Sequence, residues 1–148
     1  MKVINEMNIN FLSSSNNESF ARTVVSAFVS QMDPTIDEIA DIKTAVSEAV
    51  TNCIVHAYKS GIGTIYISSK IFENGKISIK IRDRGCGIDD VNQAMEPLFT
   101  TGGSERSGLG FAVMQSFMDK IKVTSKVGKG TTVTMEKNII RRQIRSND

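Results

Sequence analysis

The sequence predicts an α+β fold: a two-layer sandwich in which a mostly antiparallel, mixed sheet carries its helices on one face. Two observations lead there. Strand-like alternation comes in adjacent pairs, at Ile65, Ile67, Ser69, Ile71 with Ile77, Ile79, Ile81, and again over residues 121–127 and 131–137. Helical spacing comes in separate blocks between those pairs, not one helix per strand, which favours an antiparallel sheet with helices layered on it over a parallel βαβ array.

Val3 to Leu12 reads as the first strand. Ser15-Asn16-Asn17-Glu18 has the form of a capping box, with Ser15 as N-cap and Glu18 reaching back. Phe20, Val24, Ala27 and Phe28 follow at helical spacing, so a helix runs to about Met32, where Asp33-Pro34 breaks it. Thr35-Ile36-Asp37-Glu38 is a second capping box. The helix it opens runs to about Tyr58, with Ile42, Ala45, Ala49 and Cys53 as its buried stripe, and residues 59–63 end it. Asn74-Gly75, between the two alternating runs, predicts a hairpin with a type I′ turn. Residues 95–107 are polar, with Pro97, Gly102 and Gly103, and read as a mobile loop. A helix follows Gly108, with Phe111, Met114, Gln115 and Met118 in its turns. The last hairpin is joined at Gly128-Lys129-Gly130.

The chain has 148 residues, 23% charged and 40% hydrophobic, which predicts one soluble globular domain. A net charge of +2, with basic and acidic residues interspersed, predicts no nucleic-acid footprint. The cluster Arg141, Arg142, Arg145 reads as a solvated basic tail from about residue 139. No apolar run approaches the ~18 residues of a membrane span, and the start is too polar for a signal peptide. A cytoplasmic protein is therefore expected. Cys53 and Cys86 have no metal-ligand spacing and form no disulfide framework.

Three short motifs carry the chemistry. Glu48, Asn52 and His56 recur at i, i+4, i+8, which on a helix places them along one face, drifting roughly 40° per step. That face is either a solvated stripe or the oxygen shell of a hard metal such as Mg²⁺, which takes a few protein oxygens plus waters and phosphates. Asp83-x-Gly85-x-Gly87 follows a strand. It is either a turn in which Asp83 bonds its own backbone, or a carboxylate that accepts from an exocyclic amine, with the glycines letting a flat ring approach. Gly108-Leu-Gly110 opens a helix, where backbone N–H groups suit phosphate. The chain has no P-loop and no dinucleotide-binding glycine motif.

In order and spacing these motifs resemble the N, G1 and G2 boxes of the Bergerat-fold ATPase superfamily, which joins DNA gyrase, heat-shock chaperones, sensor histidine kinases and mismatch-repair proteins. The resemblance covers nearly the whole chain and leaves no room for a dimerisation and phosphoacceptor domain, which argues against a sensor kinase. The segments Asn17 to Arg22, Ser47 to Asn52, Pro97 to Thr101 and Glu105 to Phe111 are similar to the small bacterial anti-sigma serine kinases of the sporulation (sigma-F) type. That resemblance implies a homodimer that holds a sigma factor away from RNA polymerase and, with Mg-ATP, phosphorylates a serine of an anti-anti-sigma protein. It implies Glu48 as general base, Asn52 as Mg²⁺ ligand and Asp83 as acceptor for the adenine amine beside Gly85 and Gly87. Gly108 and Gly110 would cradle phosphate. Thr100, Thr101, Ser104 and Arg106 would belong to a lid, with Arg106 neutralising phosphate charge. Arg22, on the first helix, would belong to the partner-binding surface. The alternatives are a stress-response anti-sigma kinase and a nucleotide-switched binding module without significant phosphotransfer.

Overall fold

Alternation in the isoleucine-rich strands decides which face of the sheet is dry. Ile65, Ile67, Ile71, Ile77, Ile79 and Ile81 are each at most 1% exposed, while the strand residues that point the other way, Tyr66, Ser68, Lys70, Ser78 and Lys80, are half-buried or exposed. In a strand successive side chains point to opposite faces, so one face is covered and the other open. Fully burying each isoleucine contributes about 1.5–3 kcal/mol.

The computed structural model describes residues 2–96 and 109–139. In chain order these form β1 (Val3–Leu12), α1 (Asn16–Val29), α2 (Ile36–Thr51), β2 (Thr64–Phe72), β3 (Lys76–Arg82), α3 (Val91–Met95), α4 (Phe111–Phe117), β4 (Lys120–Lys126) and β5 (Gly130–Asn138). The strands make a five-stranded sheet in the order β1-β2-β3-β5-β4. Every pairing among them is antiparallel. The layer on the dry face is built on α2, which packs against both α1 and α4. Ala21, Val25, Val29, Ile42, Ala45, Val46, Ala49, Val50, Phe111 and Met114 close the core from that side. The sandwich expected from the paired strands is the one observed, and the predicted stripe Ile42, Ala45, Ala49, Cys53 is buried throughout.

Local chemistry departs from the sequence expectation at several points. Thr35 and Glu38 form their capping box, with Glu38 N donating to Thr35 Oγ1 at 3.0 Å and Thr35 N to Glu38 Oε1 at 2.8 Å. Ser15 and Glu18 do not: Ser15 is itself helical in backbone angle and its side chain caps nothing. Glu18 instead reaches forward one turn to Arg22, at 2.9 Å. A charged i, i+4 partner outcompetes the return bond to the chain start. After α1 a 3₁₀ turn spans Ser30–Met32 and ends at Asp33, whose φ of 54° turns the chain before Pro34.

The β2–β3 turn is not the two-residue type I′ turn that Asn74-Gly75 suggests. Ile71 pairs with Ile77, leaving a three-residue loop, and of Asn74 and Gly75 only Gly75 has positive φ, at 92°. Asn74 uses its side chain instead, accepting Lys76 N at 3.1 Å. The Gly75 carbonyl accepts Ile139 N at 2.9 Å, which ties the turn to the end of β5. The short helix α3 escaped the sequence pattern. Asp90 caps it, accepting Gln93 N at 3.0 Å, and only Ala94 is buried, so it carries no periodic stripe. Among the described residues no helix is long and apolar enough to cross a membrane.

Candidate functional site

The helix that begins as α2 does not stay regular. From Asn52 to Ala57 it widens into a π-helical turn, a feature frequent at functional sites because it displaces side chains from the regular helical face. The widened turn passes beside the loop that follows β3. Cys86 N donates to Ala57 O at 3.1 Å. A Cβ at Gly85 would strike the Ala57 carbonyl, so glycine is required there by the close approach of two backbones. Gly87 has φ of 79°, and a Cβ on it would strike the Lys126 carbonyl. The two glycines seat the loop between the π turn and the β4–β5 hairpin. Close backbone packing is thus one requirement for glycine at both positions.

Tyr58 holds the other side of that loop. Its hydroxyl donates to Thr64 O at 2.7 Å and accepts Arg84 N at 2.6 Å. Burial raises its pKa above the ordinary value. Gly63 is glycine because the Tyr58 ring occupies the place of a Cβ.

Asp83 sits between these supports, 6% exposed. Its Oδ1 accepts two backbone amides, Gly85 N at 2.9 Å and Thr131 N at 3.2 Å. Its Oδ2 accepts only the weak Cys53 Sγ–H donor, at 3.6 Å, among the described residues. A carboxylate has about four lone-pair sites, so Oδ2 keeps capacity for a further donor. Cys53, in turn, has its pKa pushed well up, first by burial and then by the Asp83 charge.

A cleft of about 390 Å³, open solvent included, is lined by Asn52, Cys53, Asp83 and Gly87 together with the apolar groups of Ala49, Ile88 and Phe111. Apolar walls with few polar groups are the usual make-up of small-molecule sites. His56 also lines it. At its edge Asn52 Nδ2 donates to Leu109 O at 2.6 Å. This bond fixes the amide and leaves its Oδ1 as the available oxygen. Gly110, at φ 68°, is the N-cap of α4. A Cβ there would strike Glu48 Oε1, so the Glu48 carboxylate lies directly against the start of that helix.

The structure therefore brings Asn52, Asp83 and Gly87 to one cleft, seats Gly85 behind it, and places Glu48 and Gly110 in contact at its edge. Arg22 stands apart. Its Nη1 reaches Glu18 at 2.9 Å and Ser47 Oγ at 3.2 Å, tying α1 to the helix that carries Glu48. Thr100, Thr101, Ser104, Arg106 and Gly108, the rest of the lid segment from Pro97 onward, and the basic tail at Arg141, Arg142 and Arg145 lie outside the described residues. Sequence reasoning missed Tyr58 and Thr131 as supports of Asp83. No spacing signal links positions so far apart: pairing of β3 with β5 brings up Thr131, and packing of the π turn against the loop after β3 brings up Tyr58.

Comparison with known proteins agrees with this geometry. The histidine kinase-like ATPase domain family matches residues 13–137. The chain is 61% identical over 140 residues to the anti-sigma F factor of Caldanaerobacter subterraneus subsp. tengcongensis, covering 94% of this chain and 97% of that one. It is 51% identical over 137 residues to the anti-sigma F factor of Priestia megaterium, covering 91% and 93%. Among solved structures it resembles the RsbU and RsbW domains of Rv1364c from Mycobacterium tuberculosis, with a TM-score of 0.68 at 19% identity, over 93% of this chain and 32% of that one. It also resembles the catalytic domain of histidine kinase ThkA, with a TM-score of 0.54 at 16% identity, over 90% and 96%. At those identities the structures speak for the fold. The relatives that match at more than half of their residues say more: the chain belongs to the anti-sigma F factor family, built on a histidine kinase-like ATPase domain.

Proposed function

We propose that this chain is an anti-sigma factor and protein-serine kinase: it binds ATP in the cleft with Mg²⁺, phosphorylates a serine of an anti-anti-sigma protein, and as a homodimer holds a sporulation sigma factor of the sigma-F type. The observation that carries the nucleotide half is Asp83. Two amides saturate Oδ1, the carboxylate is buried, and Oδ2 retains an acceptor site in an apolar-walled cleft. An adenine exocyclic amine is a donor of the right kind for that oxygen. Apolar side chains from Ala49, Ile88 and Phe111 suit the flat faces of a purine.

The remaining residues fit the polar end of a nucleotide. Asn52 presents its Oδ1, because Leu109 holds its Nδ2. That is a suitable hard oxygen ligand for Mg²⁺. When bound, Mg²⁺ supplies neutralisation of charge on the phosphate oxygens. Gly110 permits close approach of backbone at the edge of the cleft. Glu48, held beside it, accepts the proton from the partner's serine hydroxyl as that oxygen attacks the γ-phosphorus and the bond to the β,γ-bridging oxygen breaks, with ADP as the leaving group. Thr100, Thr101, Ser104, Arg106 and Gly108 complete the lid and phosphate cradle in this reading. Phosphoryl transfer asks mainly for positioning and charge neutralisation, and this set supplies both. Arg22 contributes to the partner surface, since its guanidinium is partly exposed and already fixed by Glu18 and Ser47.

Glu48→Gln tests the base. The variant should bind ADP and ATP as the parent does and lose phosphotransfer to a purified anti-anti-sigma protein by about 10²–10⁴. Phosphorylation at the parent rate would remove Glu48 from that role. Nucleotide binding without phosphotransfer in the parent protein would instead leave a nucleotide-switched binding module.

A further inference from the structure

The face of the sheet opposite the helices is polar, and its charge is unevenly distributed. Register across the five strands orders it into rows. The row nearest the Asp83 end that crosses all five strands is Asn10, Tyr66, Arg82, Thr132 and Thr124; beyond it Leu12, 56% exposed, pairs with Thr64, and Lys126 with Gly130. The next is Asn8, Ser68, Lys80, Thr134 and Lys122. Acidic side chains enter only with the third row, as Glu6 and Glu136, and Lys76 already holds Glu136 at 3.7 Å. Lys126 at the end of β4, with Arg84 and Lys129 beyond the strand ends, lines the same concavity as Arg82, Asp83 and Thr132, about 670 Å³ with open solvent included.

Six cations, Lys80, Arg82, Arg84, Lys122, Lys126 and Lys129, thus gather on one end of one face of a chain whose net charge is only +2. None of them has a carboxylate within ion-pair distance among the described residues. The guanidinium groups of Arg82 and Arg84 instead stand 4.5 and 5.0 Å from the Tyr66 ring centroid. Stacking of this kind pre-organises both forks while leaving their donors unspent.

We infer that this basic end of the open sheet face is a docking surface for an acidic protein segment, one rich in Asp and Glu side chains. Charge complementarity names the occupant: a field of unpaired cations attracts and orients carboxylates. Two other occupants fit less well. A single-stranded nucleic acid needs aromatic platforms for its bases, and Tyr66, the one aromatic in these two rows, is already stacked by two arginines. A membrane surface needs apolar side chains to insert, and here the exposed ones stand only at the margins, Leu12 on the edge strand β1 and Val127 in the β4–β5 turn. The surface lies on the back of the strand ends that carry Asp83 and Thr131; those two residues line both this concavity and the cleft, so the two adjoin across the strand ends.

Fluorescence anisotropy of a short labelled polyglutamate peptide, titrated with the full chain at low and at physiological salt, tests the inference. Saturable binding should weaken with salt. K122E/K129E should weaken it about tenfold or more. K80E/K126E, a second reversal on the same face, covers the case in which the first variant fails to fold. K43E/K59E changes net charge equally but on other exposed positions, and should leave affinity within about twofold of the parent. Equal weakening by the control reversal would reduce the effect to net charge and overturn the proposal. So would tighter binding of a single-stranded oligonucleotide that displaces the peptide, which would assign the face to nucleic acid.

Discussion

The two oxygens of Asp83 have different surroundings, Oδ1 holding two loop amides and Oδ2 facing the cleft, and Asp83→Asn separates them. In the variant the amide carbonyl oxygen can take the place of Oδ1 and keep Gly85 N and Thr131 N. The NH₂ group then replaces Oδ2 and faces the cleft as a donor, opposite the donor of adenine. The loop should stay folded while affinity for adenine nucleotides falls by on the order of 1–3 kcal/mol, the cost of an unmet buried partner. Calorimetry with ADP on a variant of unchanged circular dichroism checks this; equal affinity would take Asp83 out of the site. Its neighbour Cys53 makes a second residue-scale prediction. Burial and the Asp83 charge hold the Cys53 proton more tightly in the folded chain than in the unfolded one. That contribution to stability is complete below the thiol's ordinary value of 9.0. Above it the unfolded chain ionises first, and stability falls with rising pH by up to about 1.4 kcal/mol per unit. Tyr58, also raised by burial, adds a decline of the same sign above 10.0. Urea midpoints measured through alkaline pH should drop in the parent and drop less steeply in Cys53→Ala.

Elements show where a sequence pattern is sufficient and where it is not. Alternation in β2 and β3 was legible because the dry face enforces it at every second residue, from Ile65 to Ile81. The capping box at Thr35 was legible because both its partners are local. The one at Ser15 failed because Arg22, four residues beyond Glu18, offers that carboxylate a charged partner. The π turn at Asn52–Ala57 had no sequence signal: its cause is the loop after β3 packing against Ala57 from a distant part of the chain. The strands also contain one misfit. Ser69 stands among the buried isoleucines at 0% exposure, and its hydroxyl has no hydrogen-bond partner among the described residues. A buried hydroxyl left unpaired costs about 1–3 kcal/mol. Ser69→Ala should therefore stabilise the chain, by about 1 kcal/mol once the small loss of packing is set against it. A denaturation midpoint at or below that of the parent would mean that the hydroxyl is satisfied in solution.

The whole molecule is a sheet with helices on one side, and the cleft is cut where that layer meets the ends of β3 and β5. The order of the three motifs was readable in the chain because each is short and local. The frame that makes them one site was not, because it depends on Thr131 reaching Asp83, Leu109 reaching Asn52 and Tyr58 reaching Arg84 across the fold. Since the cleft joins the C-terminal part of α2, the end of β3, the start of β5 and the start of α4, a ligand seated in it bridges elements from both halves of the sequence. Such a ligand binds the folded chain and not the unfolded one, so it stabilises the whole fold by RT ln(1 + [L]/Kd). At about a hundred times Kd that is roughly 2.7 kcal/mol, and for a chain of this length roughly 2–4 °C per kcal/mol follows. Saturating Mg-ATP or Mg-ADP should raise the melting temperature by about 5–10 °C. Mg-GTP should raise it less: guanine carries a carbonyl where adenine carries its amine, so the acceptor at Asp83 Oδ2 would face another acceptor. A thermal shift equal for the two purines would mean that the cleft reads phosphate alone. A shift for ATP that persists undiminished in Asp83→Asn would place the base elsewhere in the cleft.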